Sequence, residues 1–168
     1  MSYGWRETSD RVSGGLIELC DECGYDARQV AHPPTELDEV FVQLGSFLEH
    51  PLAGRQPEEG TYSAEQYVTH SVAITAELLE FVTRVTDIPE ETGIVDLTTA
   101  RAATQRVTTQ VTGERRDAVL ADVYPFEVSA EWVVLHLLHD LSHHVHDIRR
   151  GLAKVAMADL PERYTVER

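Results

Sequence analysis

EWVVLHLLHDLSHHVHDIRR, residues Glu131 to Arg150, is the stretch that organises this chain. It carries five of the eight histidines, His136, His139, His143, His144 and His146, together with Asp140 and Asp147. No Gly or Pro interrupts it, Ser129 precedes it as an N-cap and Gly151 follows it, so it predicts one long helix. On a helical wheel Val133, Leu137, Leu141, Ile148 and Val155 share one side, widened by Val134, Leu138 and Val145. Asp140 and His144 fall at the border of that arc. His136 and Asp147 lie just beyond it, then His143, while His139 and His146 point furthest from the expected core.

A border side chain can reach into a helical core and keep one edge wet. Residues four apart stack on one face, so a carboxylate and an imidazole at that spacing can chelate one ion. His136, Asp140 and His144 form such a ladder. Its ends are about 12 Å apart, too far for bonds near 2.0–2.2 Å, so one adjacent pair must be chosen. Asp140 with His144 is the more core-directed pair, and His139 with His143 is its rival. Five histidines and two aspartates in one helix favour a site over an empty, solvated His-rich face.

The chain has 168 residues, which suits one domain with a real core. Its 29 acidic against 14 basic side chains give a net charge of −15, which argues against nucleic acid and anionic membrane as partners. The N-terminus MSYGWRETSD lacks the apolar core of a signal peptide, and no run approaches a membrane span. A soluble cytoplasmic protein is the expectation.

Taken in order, residues 1–34 read as an N-terminal extension, with Arg11 to Leu19 a short helix weakened by Gly14 and Gly15. CDECGYD follows. Cys20 and Cys23 resemble half of a zinc knuckle, but a structural zinc needs four ligands and no second CxxC exists. His32 and His50 have no spacing that asks for them. A turn holding two small buried side chains is the favoured reading, with a redox pair as an alternative. His32-Pro33-Pro34 marks a boundary. Helices are expected near 35–49, 63–85, 97–112 and 129–152, the first capped by Thr35 and the second by a Ser63/Gln66 capping box. His70 lies at the edge of the second helix's apolar face, with Glu77 two turns on. Tyr124-Pro125-Phe126 leads into the His-rich helix, and residues 156–168 form a charged tail.

YSAEQYVTHSVAITAELLEF and LHLLHDLSHHVHDI together resemble the second and last helices of the DinB-like metal-binding superfamily. That superfamily includes mycothiol-dependent maleylpyruvate isomerases and bacillithiol transferases. Residues 16–28 are similar to a leader on some actinobacterial members. The resemblance implies an all-α, up-down four-helix bundle over 35–155 and a divalent ion on His70, Asp140 and His144, with aspartate standing where His or Glu is usual. Zinc is the first expectation, nickel or iron the alternatives. Three protein ligands leave an open position for a low-molecular-weight thiol or for water. His143, His136 and Glu77 are then candidates for moving protons or orienting ligands around a small-molecule substrate. Two other readings stand beside this enzyme. One is an HD-type phosphohydrolase using the His139-Asp140 doublet, with His70 and Asp147 conscripted. The other is a non-catalytic metal-binding or interaction bundle. A homodimer through helix faces is expected in either bundle reading.

Overall fold

The computed structural model describes residues 16–159 and, as backbone, residues 4–7. The outer part of the expected tail, 160–168, and residues 11–15 of the expected first helix lie outside them. The architecture is mostly helical: α1 (Pro33–Leu48), α2 (Ala64–Val85), α3 (Leu97–Thr108) and α4 (Ala130–Ala158). Two small antiparallel pairs accompany the helices, β1 (Gly4–Glu7) with β2 (Leu16–Leu19) and β3 (Val119–Leu120) with β4 (Val128–Ser129).

The caps explain where the helices start. Ser63 and Gln66 form the expected capping box, and Asp96 with Thr99 forms another before α3. The Ser129 hydroxyl accepts from the Trp132 amide. For α1 the cap is His32 rather than Thr35: its ring accepts from the Thr35 amide, and two prolines occupy the first turn, where their missing N–H groups cost nothing. Two ends differ from expectation. Helix α3 stops at Thr108, and α4 runs on through Gly151 to Ala158. Gly151 is not a C-cap. A Cβ there would meet Pro57 Cγ at 3.4 Å, an ordinary van der Waals contact, so the loop before α2 lies against the helix at this position.

The core is built from Leu37, Phe41 and Leu44 of α1, Leu79 and Val82 of α2, Ala100, Ala103 and Val107 of α3, and Val133, Leu137, Leu141 and Ile148 of α4. Helix α3 has a weak apolar stripe because its buried face is small and hydroxylated. The Thr104 and Thr108 hydroxyls donate to the carbonyls of Ala100 and Thr104, both at 2.8 Å, which satisfies them without water. Both α3 and α4 pack on α1 and α2, with no comparable contact between α3 and α4 among the described residues. The connection from 109 to 129 spans that gap. Its β3–β4 pair and the Tyr124 and Phe126 rings, edge-on to Trp132, brace the start of α4.

Residues 16–19 are a strand, not the end of a helix. Leu16 to Leu19 pair with Glu7 to Gly4, and Leu19 bridges to Asp26 beyond the CxxC turn. This N-terminal segment lies along α4: the Tyr25 hydroxyl donates to the Leu135 carbonyl at 2.8 Å. No helix among the described residues is long and apolar enough to cross a membrane.

Candidate metal centre

Cys20, Cys23 and Gly24 form a tight turn between β2 and the Leu19–Asp26 bridge. The Gly24 amide donates to the Cys20 carbonyl and the Cys20 amide to the Tyr25 carbonyl, each at 2.9 Å. Gly24 has φ of +78°, which a side chain would strain, so glycine after the second cysteine lets the turn close. Both cysteines are free thiols, and Cys20 is buried.

The turn sits over α4 where His139 and His143 project from successive turns. One donor atom from each of Cys20, Cys23, His139 and His143 lies within 4.8 Å of every other. Tetrahedral zinc bonded at about 2.3 Å to sulfur and 2.0 Å to nitrogen needs donors roughly 3.3–3.8 Å apart. Cys20 Sγ to His143 Nδ1 already measures 3.5 Å. The other pairs, within 4.8 Å, would have to close to that range to form a Cys2His2 shell.

Carboxylates stand behind both rings. His139 Nδ1 is 3.3 Å from Glu18 Oε2. His143 turns Nε2 to Glu22 at 3.6 Å and Asp147 at 3.7 Å. Carboxylates behind ligating imidazoles are the usual device for fixing tautomer and raising basicity. The charges agree. Burial raises the Cys20 thiol, but the Cys23 amide and the His139 ring bring it down to about 6. Burial alone would lower His139, yet hydrogen bonds with Cys23, Glu18 and Cys20 raise it to about 10. Both shifts run in the direction of a thiolate beside an imidazolium, and a divalent cation would take the place of the proton.

The other expected residues lie elsewhere, His70 and Glu77 on α2 and His136, Asp140 and His144 on α4. His70 and His144 face each other with ring centroids 5.0 Å apart, beside Tyr67, whose hydroxyl lies 3.2 Å from Asp147 Oδ2. His144 Nδ1 meets the Ser71 hydroxyl at 3.1 Å. Burial, then the His70 ring beside it, push His144 down to about 4. Asp140 turns instead to His136, with Oδ2 3.6 Å from Nε2. His70, Asp140 and His144 therefore do not gather as the cysteine–histidine set does. Glu77 is exposed and His146 half-buried. The HD doublet is divided, His139 going to the thiols and Asp140 to His136.

His139 was expected to point furthest from the core and is instead fully buried. The wheel counted only the apolar arc; the N-terminal segment covers the opposite face, and Tyr25 stacks on the His139 ring at 4.6 Å. The CxxC is a turn, as expected, with Cys20 buried and Cys23 half-buried, and what the sequence reading left out is that both thiols lie near His139 and His143. The usable signal was C-x2-C-G in one place and H-x3-H on a helix in another, each half of a zinc site. A separation of 123 residues between Cys20 and His143 hid their relation.

A cavity of about 530 Å³ opens beside this centre, walled in part by Ile17, Glu18, Val30, Pro34 and Trp132. No family model, curated protein or solved structure matches the chain.

Proposed function

We propose that the protein is a metal-binding four-helix bundle in which one Zn2+ ion, held by Cys20, Cys23, His139 and His143, fastens the N-terminal segment to the last helix. The convergence of two thiols and two imidazoles from distant parts of the chain carries this reading. Four protein donors fill a tetrahedral shell, the mark of a structural rather than a catalytic ion. Thiolate and imidazole donors suit zinc and disfavour magnesium or calcium. Because the shell exists only in the folded chain, the binding energy adds to folding. Elemental analysis of the purified protein should give one zinc per chain. Cys20→Ser or His143→Ala should abolish it, while His144→Ala should keep it; zinc retained by the first two and lost from the third would refute the assignment.

A second reading is a metal-dependent enzyme, with a divalent ion on His70, Asp140 and His144 and an open position for a low-molecular-weight thiol. Its support is the DinB-like resemblance and the apposed rings of His70 and His144, 5.0 Å apart. This reading needs Asp140 to leave His136 and turn toward that pair. Thiol transfer measured with metal and thiol, against metal alone, tests it; no activity in the presence of both would dismiss it.

A further inference from the structure

Glu18 is the most deeply buried acidic side chain near the centre, 3% exposed on β2. A carboxylate is rarely buried so far unless it is paired. Its Oε1 lies 2.8 Å from His136 Nδ1 and its Oε2 3.3 Å from His139 Nδ1, so one carboxylate serves two rings of α4. His136 is held in turn by Trp132, stacked at 4.9 Å and 13°, and by Asp140. Tyr25 lies parallel to His139 within 7° and fixes the plane of that ring. Rotation of the ring within the plane is left to Glu18.

We infer that Glu18 is a positioning residue of the metal centre, bridging His136 and His139 so that His139 offers Nε2 to the ion. The inference rests on the Cys2His2 reading. A neutral imidazole has one donor and one acceptor nitrogen. A proton on Nδ1, 3.3 Å from Glu18 Oε2, would leave the lone pair on Nε2. The equivalent contacts behind His143 are weaker. Glu22 and Asp147 stand 3.6 and 3.7 Å away, and their side chains are 68% and 22% exposed. Glu18 therefore governs the more buried ligand, and Asp147 contributes less. His136, held between Glu18 and Asp140, anchors the carboxylate and does not itself touch the ion.

The test is zinc affinity measured by competition with a chromophoric chelator, together with the absorption spectrum of the Co2+-loaded protein. Glu18→Ala should weaken zinc by about 10- to 100-fold and shift the Co2+ ligand-field bands. Glu18→Gln keeps an acceptor for Nδ1–H and should fall between wild type and Glu18→Ala. Asp147→Ala should weaken binding less than Glu18→Ala. Ile17→Ala, beside Glu18 on the same strand, damages packing alone and should leave affinity and spectrum near wild type. Wild-type affinity in Glu18→Ala, or equal losses in Ile17→Ala and Glu18→Ala, would overturn the assignment. If Glu18→Ala does not fold, Glu18→Gln decides: binding several-fold weaker supports the role and wild-type affinity overturns it. A wild-type protein that binds zinc, loses it with Cys20→Ser and ignores Glu18 refutes only this role; one that binds no zinc refutes the centre and this role together.

Discussion

On one side of α4, Val133, Leu137, Leu141 and Ile148 pack into the helical core, each 1% exposed or less. On the other, His136, His139 and His143 lie under the N-terminal segment at 9%, 0% and 7%. Both faces are buried but are held by different physics. The apolar face needs only partners of suitable volume, and burial itself is the driving force. The histidine face gains little from burial, since each polar atom must find a partner or cost free energy. It is covered because the segment that covers it brings Glu18, Tyr25, Cys20 and Cys23, whose chemistry matches those rings. A face of the first kind tolerates change gradually; a face of the second kind fails as a unit when one partner is removed.

The largest expected effect therefore lies on the histidine face. Cys20→Ser should reduce zinc affinity by about a hundredfold to a thousandfold, given that four ligands together supply roughly 10–16 kcal/mol in small zinc domains. Hydrogen exchange should show amides of residues 16–31 losing protection in this variant, with those of α1 and α2 unchanged. Uniform loss across the chain would mean that the two faces are not separable. Acid should act in the same place. The ligands must be deprotonated to bind, so affinity falls as pH falls. Zinc release on titration from pH 7 to pH 4 should precede loss of helical circular dichroism; simultaneous loss would break the distinction.

Leu141→Ala tests the apolar face. A cavity at a fully buried leucine costs about 2–5 kcal/mol, and denaturant unfolding should show this with zinc stoichiometry intact. Loss of the ion in this variant would show that the faces are coupled through the helix. The smallest effect is expected at the surface. Arg101 grips Asp38 with Nε–Oδ1 at 2.6 Å, but both side chains are more than a third exposed, 44% and 35%. A double-mutant cycle should give a coupling below about 1 kcal/mol. The Arg101 guanidinium holds the Asp38 carboxyl below its ordinary range. The coupling should therefore be present above about pH 4 and vanish as pH falls through the lowered value.

The apolar face was legible in the sequence because its period is that of the helix. The arc through Val133, Leu137, Leu141 and Ile148 and the Ser63 and Ser129 caps all stand where the pattern put them. The histidine face was not. Periodicity ranks His139 as outermost, since a wheel assigns polar positions to solvent and has no term for a second layer of protein. The cysteines could be seen as half a zinc site, but only the chain's return over α4 supplies the other half. Two helix ends also differ from the local reading: α3 stops at Thr108, and α4 runs past Gly151 to Ala158.

X-ray absorption at the zinc edge of the purified protein tests the central claim most directly. The expected first shell has two sulfurs near 2.3 Å and two nitrogens near 2.0 Å, as Cys20, Cys23, His139 and His143 require. A shell of nitrogen and oxygen with no sulfur would contradict the account and place the ion on His70, Asp140 and His144.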